Sequence, residues 1–199
     1  MEFIAHRVNS IKDLKKIPND YGLEVDLRDY GNQLILQHDP FKNGENFEEY
    51  LKHYNHGTII LNIKSEGIEF RVIELLVKYK VKRYFFLDCS FPMIYLLSKA
   101  GEKNIAIRLS EFEGLDTTLK MQDKIDWVWI DCFNHFSLNS DKYRNIKGAG
   151  LKICLVSPEL QKQKDKITEH IKIIKNKNFK IEAVCSKYPG IWKEDFDSV

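Results

Sequence analysis

No run of about twenty apolar residues, the length a membrane span requires, occurs in this chain. The N-terminus, Met1-Glu2-Phe3-Ile4-Ala5-His6-Arg7, lacks the basic region and long apolar core of a signal peptide. It reads directly as a strand, and the expected location is the cytoplasm. Cysteine is sparse: Cys89, Cys132, Cys154 and Cys185 lie far apart in strand-like surroundings. That spacing excludes a zinc-binding pattern or a Cys-x-x-Cys redox pair and leaves buried free thiols. An excess of charge of one sign is missing as well, since 31 basic and 29 acidic residues are intermixed for a net +2. Such a balance provides no broad field for nucleic acid. The densest basic segment, residues 161–180, keeps Ile167, Ile171 and Ile174 at helical spacing, so its lysines read as the solvated face of a surface helix. A glycine-rich turn after the first strand is also lacking. His6-Arg7-Val8-Asn9-Ser10 stands there instead, which removes the dinucleotide-binding fingerprint.

What is present is the composition of a globular protein, with 43% hydrophobic and 30% charged residues. A length of 199 residues suits one domain, residues 1–199, better than two cores. Short runs rich in Ile, Val and Phe fall at residues 3–8, 23–27, 34–38, 58–64, 84–89, 105–109, 127–132, 152–156 and 181–185. Amphipathic helical patterns separate most of them, at residues 10–16, 46–54, 67–79, 91–100, 111–121, 140–147 and 161–176. The alternation predicts an α/β protein built of parallel βαβ units, and the number of units favours a compact (β/α)8 barrel of the TIM type over an open sheet. Nine strand segments are one too many for that barrel. Either the second and third, joined by the turn cluster Arg28-Asp29-Tyr30-Gly31-Asn32, form a hairpin-like excursion, or a terminal segment lies outside.

Buried parallel strands are apolar by necessity, so charged groups at their C-terminal ends need a reason. In a barrel, that is the end where catalytic groups collect. Here the ends carry His6 and Arg7, then Glu24 and Asp26, then His38, then Asn62 and Lys64, and later Asp88, Arg108 and Asp131. One mouth would hold them all. Glu24 and Asp26, two apart on a strand, share a face, and adjacent carboxylates repel unless a cation intervenes; oxygen donors without thiolates suit Mg2+ or Ca2+. The plainer use is a carboxylate turned to solvent or paired with Arg28. His6 and His38 titrate near neutrality, as groups that both accept and donate a proton must. Arg7 and Lys64 supply fixed positive charge for a phosphoryl oxygen, although Arg7 could equally pair with Glu24 or Asp26. Asp88, Arg108 and Asp131 either touch substrate or pair with one another. Trp127 and Trp129 alternate with Asp131, so one face could line a pocket, and packing against outer helices is the expected use.

At these residues the chain resembles the glycerophosphodiester phosphodiesterase family, within the phosphatidylinositol-phospholipase-C-like phosphodiesterases. The family pattern runs His-Arg-Gly, Glu-x-Asp, a strand ending in His-Asp, then Glu-x-Lys. This sequence has His6-Arg7-Val8, Glu24-Val25-Asp26, Leu34-Ile35-Leu36-Gln37-His38-Asp39 and Asn62-Ile63-Lys64 in the same order. The terminal Ala183-Val184-Cys185-Ser186-Lys187-Tyr188-Pro189 is a weaker echo of the family's last strand. The resemblance implies a phosphoric diester hydrolase of lipid metabolism acting on a small phosphodiester. His6 and His38 would be general acid and base, Arg7 and Lys64 would bind phosphate, and Glu24, Asp26 and Asn62 would hold a divalent cation, Mg2+ or Ca2+. Val8 departs from the glycine, and Asn62 stands in place of a third carboxylate, which weakens the expected metal site; Glu66 in the adjacent loop is a possible substitute. Two alternatives stay open: a degenerate barrel that binds a phosphorylated ligand without turnover, and a lyase or aldolase forming a Schiff base through Lys64. Short loops leave little room for a lid and point to a small soluble headgroup. No nucleic-acid partner is expected, and the sequence does not speak to oligomeric state.

Overall fold

Side chains along each strand alternate between two faces, and this sequence fills the two differently. The computed structural model describes residues 1–197. Its strands are β1 (Glu2–Ala5), β2 (Gly22–Tyr30), β3 (Gln33–Leu36), β4 (Glu45–Asn46), β5 (Ile59–Ile63), β6 (Tyr84–Leu87), β7 (Ala106–Leu109), β8 (Trp127–Ile130), β9 (Lys152–Val156) and β10 (Ala183–Ser186). The helices are α1 (Ile11–Leu14), α2 (Phe47–His53), α3 (Glu69–Lys78), α4 (Phe91–Lys99), α5 (Leu115–Lys120), α6 (Ser140–Gly148), α7 (Ile167–Asn176) and α8 (Pro189–Asp197). Parallel pairing runs β6-β5-β2-β1-β10-β9-β8-β7. The two ends of this series, β6 and β7, meet only through the parallel bridge Phe86–Ile105 and the bond from Phe86 N–H to the Asn104 carbonyl at 2.8 Å. The architecture is α/β, a curled TIM-like sheet with helices outside.

The outward register of β2 and β5 (Leu23, Val25, Leu27, Leu61) packs under Phe47, Tyr50, Val72 and Leu76 of α2 and α3. On the other side Val128, Ile130, Ile153 and Leu155 pack under Ile146, Ile171 and Ile174 of α6 and α7, with Trp192 of α8. The inward register begins apolar, with Ile4, Ile60, Phe85, Trp127, Cys154 and Cys185, and Phe85 stacks on Trp127 at 4.5 Å. Towards the C-terminal ends the same register turns polar. Several helices start at that end with side-chain caps: Asn46 accepts from Glu49 N–H, Ser90 from Met93 N–H and Asn139 from Lys142 N–H.

Several expectations are corrected. The segment at residues 34–38 is not a barrel strand. β2 continues past the edge of the parallel sheet, and β3 returns antiparallel on it, with Tyr30 opposite Gln33 and Leu27 opposite Leu36. The first strand ends at Ala5, so His6 and Arg7 follow it. Trp127 and Trp129 face the interior rather than the outer helices. The expected helix at 111–121 starts only at Leu115, because the Ser110 hydroxyl accepts from the N–H groups of Phe112 and Glu113 and holds a turn there. The helix expected from 161 begins at Ile167, after short 3-10 turns broken by Lys162 at φ 63°. Cys132, Cys154 and Cys185 are buried, whereas Cys89 is half-buried. Among the described residues no helix is long and apolar enough to cross a membrane.

Candidate active site

The inward register of β1 runs from Ile4 to His6, that of β2 through Glu24 and Asp26, and that of β5 from Ile60 through Asn62 to Lys64. Asp26 lies directly opposite Asn62 in the β2–β5 ladder. Arg7 then turns sharply at φ 56°, a left-handed value uncommon outside glycine, and this aims its backbone N–H at the Glu24 carboxylate, 2.7 Å away. A second residue at a strand end, Asp88 after β6, has φ 58°. Two other left-handed residues, Lys80 and Asn178, merely end helices α3 and α7. Strain of this kind needs surroundings that over-determine it, and functional sites are where it gathers.

Glu24 is 1% exposed and Asp26 0%. Burial and the neighbouring Asp26 charge push the Glu24 carboxyl up to about 7, although Asn62 Nδ2 donates to its Oε1 at 2.8 Å and Arg7 N–H to its Oε2. Asp26 is held by Arg7 Nε at 3.3 Å, by Asn9 Nδ2 at 2.8 Å and by Lys64 Nζ at 3.7 Å. Arg7 therefore does make the ion pair that the sequence allowed. His6 Nε2 stands 3.7 Å from Glu24 Oε2. This contact is no salt bridge, since burial, followed by the charges of Arg7 and Lys187, drops the His6 imidazole to about 3 and keeps it neutral. Two buried oxygens, Asp26 Oδ1 and Asn62 Oδ1, have no hydrogen-bond donor. They belong to facing residues on adjacent strands, and a hard cation binding both would compete with Lys64, whose Nζ stands 3.7 Å from Asp26 Oδ1. Among the described residues no group of three His, Cys, Asp or Glu side chains is placed to hold a metal, so an oxygen site here needs the Asn62 amide.

A cavity of about 340 Å3 opens above these groups, lined by His6, Arg7, Glu24, Asn62 and Lys64 together with Asp88, Arg108, Trp129, Asp131, Gln161 and Lys187. Asp26 sits behind Arg7 and Lys64 rather than in the wall. His38 does not line the cavity. It stands on the loop after β3, 42% exposed, with Nδ1 3.0 Å from Asp39 and its carbonyl accepting from the Arg28 guanidinium. Arg28 does not pair with Glu24 or Asp26. Asp88, Arg108 and Asp131 prove to be mutually paired, Arg108 bridging the two carboxylates, while Lys64 reaches Asp88 at 3.4 Å. Glu66 is turned away and accepts from the Ser90 hydroxyl, so it does not replace the missing carboxylate.

Over its full length the chain superposes on three solved structures. One is a protein of Agrobacterium tumefaciens str. C58 named as a candidate glycerophosphoryl diester phosphodiesterase, with TM-score 0.72, 13% identity and coverage of 100% of this chain and 98% of that one. A second, from the same organism, is a glycerophosphodiester phosphodiesterase with TM-score 0.67, 15% identity and the same coverage. The third, a glycerophosphoryl diester phosphodiesterase of Parabacteroides distasonis ATCC 8503, has TM-score 0.66, 14% identity and coverage of 99% and 86%. The fold is that of glycerophosphodiester phosphodiesterases. No protein-family model and no curated protein matches the chain by sequence. Within this glycerophosphodiester phosphodiesterase fold, the polar cavity residues Gln161 and Lys187 escaped the sequence reading, whereas Trp129 takes up the pocket-lining use that its alternation with Asp131 allowed. Lys187 continues the inward register of β10 two residues beyond Cys185, a spacing that could have found it. Its position is fixed by Glu159, a buried carboxylate accepting from Ser186 Oγ at 2.7 Å and Lys187 N–H at 2.9 Å. Nothing in the sequence marks Glu159, because its partners arrive from β10, far along the chain.

Proposed function

We propose that the protein is a phosphodiesterase cleaving a glycerophosphodiester or a related small phosphodiester, in a (β/α)8 barrel that closes through the β6/β7 seam. The observation that carries this reading is the meeting of His6, Arg7, Glu24, Asn62 and Lys64 around one cavity at the strand C-termini. The full-length fold likeness to structures named for that activity supports it.

Arg7 and Lys64 bind the phosphate oxygens through charge-assisted bonds, with Lys187, next along the sheet from His6, as a third cation. His6, neutral and lying among these cations, takes the proton of the attacking hydroxyl or water. An anionic phosphate between the cations offsets their charge and raises the imidazole's proton affinity as the nucleophile's oxygen bonds to phosphorus. The bond from phosphorus to the leaving alcohol then breaks, and His38 gives that oxygen its proton. Because His38 stands at the rim, the leaving oxygen must face the β3 loop. Glu24, Asp26 and the Asn62 amide oxygen would hold Mg2+ or Ca2+, which supplies Lewis-acid stabilisation of charge on the phosphoryl oxygens. With two carboxylates, and with both Glu24 oxygens already accepting, that binding is weak.

Turnover of glycerophosphodiesters, measured with and without Mg2+ or Ca2+, tests the reading. His6→Ala and His38→Ala should each lose about 10²–10⁴-fold in kcat, the range for general acid–base groups; unchanged turnover in both removes them from the chemistry. The Asn62 amide favours one rival, a phosphate-ester-binding barrel without turnover. Saturable binding of glycerophosphocholine with no release of choline or glycerol 3-phosphate under any metal would support that rival. A Schiff-base role for Lys64 has no comparable support, since its ammonium lies between two carboxylates rather than in an apolar pocket.

A further inference from the structure

A larger cavity, about 470 Å3, adjoins the first and shares Asp88 and Arg108 with it. Its origin is topological. β6 and β7 are bridged only at Phe86 and Ile105, and beyond that point no backbone pairing joins them, the Arg108–Asp88 ion pair being a side-chain contact. The space between β7 and the starts of α4 and α5 is left open and is lined by Cys89, Phe91, Ile94, Ala106, Ile107 and Thr117. Apart from the shared ion pair and Glu113, these walls are apolar or weakly polar, the opposite of the charged cavity beside them. The rim continues that character: Phe91 is 52% exposed, and Phe112 is 76% exposed with its ring 6.0 Å from that of Phe133. Phe91 lines the cavity itself, and Phe112 directly precedes its lining residues Glu113 and Gly114. Pockets of this size, apolar with a few converging polar groups, suit organic ligands, and exposed rings at a rim mark apolar contact.

We propose that this seam cavity binds a single alkyl chain carried on one ester oxygen of the substrate, so that the preferred substrates are single-chain amphiphilic phosphodiesters. The inference rests on the phosphodiesterase reading for its anchoring of the phosphate, with Arg108 at the junction between headgroup and chain. Thr117 is exposed and lines the cavity away from the reacting groups, so Thr117→Trp fills it without entering the core.

Dodecylphosphocholine, a single-chain phosphodiester, and glycerophosphocholine, which shares its headgroup and lacks the chain, are compared by calorimetry below the micelle-forming concentration. The wild-type protein should bind dodecylphosphocholine at least about tenfold more tightly, and Thr117→Trp should remove most of that advantage while leaving glycerophosphocholine binding unchanged. Equal wild-type affinities, or a preference untouched by Thr117→Trp, would overturn the proposal. Chain-dependent binding that Thr117→Trp abolishes, without turnover of either compound, would sustain the seam site and sink the catalytic reading instead. A second variant, Phe91→Ser, acts on an exposed lining residue, guards against misfolding of the first and should also weaken the preference for the chain.

Discussion

Asn62 sits at a balance point between two electrostatic solutions of one site. Its amide N–H bond to Glu24 relieves part of the repulsion between buried carboxylates, while its own Oδ1 and the Asp26 Oδ1, the latter 3.7 Å from Lys64 Nζ, accept no hydrogen bond. Replacing it by a carboxylate removes the donor and adds a third negative charge. In the absence of metal, Asn62→Asp should therefore destabilise the fold by about 1–3 kcal/mol, the range for a buried polar group left uncompensated. Adding Mg2+ or Ca2+ should raise the melting temperature of Asn62→Asp more than that of the wild type, since a third carboxylate strengthens the site and binding to the native state is stability. Thermal scans of both proteins with and without the cation check this, and a smaller cation-induced shift in the variant would contradict it. The neighbouring groups explain how much was legible from sequence. His6, Glu24, Asn62 and Lys64 were readable because period-two alternation carries each strand's inner face up to its polar end. The separation of His38 from the cavity wall was not, because an extended stretch reads alike in a barrel strand and in a returning hairpin.

At the scale of elements, α7 was anticipated from the spacing of Ile167, Ile171 and Ile174, but the same apolar face holds His170, a buried group without chemistry. Its ring stands edge-on to Phe136 at 4.9 Å, and Nδ1 has no partner. Burial, with the Lys166 charge a lesser cause, lowers its pKa from 6.5 to about 4. Between those values the unfolded chain binds a proton that the folded helix refuses, so stability rises with pH across that window and is lost as pH falls through it. The full contribution, up to about 3 kcal/mol at one pKa unit per 1.36 kcal/mol, is present above 6.5 and gone below about 4. His170→Phe keeps a ring against Phe136 and removes the titration. Urea denaturation at pH 7 and at pH 4.5 should show the variant losing less stability on acidification than the wild type; equal losses would place the acid sensitivity elsewhere. The elements that sequence missed share a cause. α8 begins at Pro189, which reads as the end of a strand, and the 3-10 turns after β9 depend on Ser157 and Glu159 meeting Trp192 and β10 from distant parts of the chain.

For the whole molecule, the decisive feature is that the parallel series has one weak join. Neighbouring strands elsewhere share ladders, the longest between β2 and β5, where Leu23 to Leu27 pair with Ile59 to Ile63. β6 and β7 share one bridge. A curled sheet held this way has a preferred line of opening, because separating β6 from β7 breaks little backbone pairing while any other parting breaks a ladder. The seam also borders the larger cavity, so its outer side lacks the packed side chains that would close it. The amide of Phe86, which donates across the seam to Asn104, should exchange with solvent through a local opening well below the global unfolding free energy. The amides of Val25 and Asn62, in the β2–β5 ladder, should exchange only on global unfolding. Native-state hydrogen exchange under increasing denaturant separates the two: a shallow, denaturant-insensitive curve at Phe86 against steep curves at the other two is the expected result. Merging of all three at the global limit would show that the ring is held as firmly at its seam as anywhere else, and the helices α4 and α5, rather than strand pairing, would then have to supply the difference.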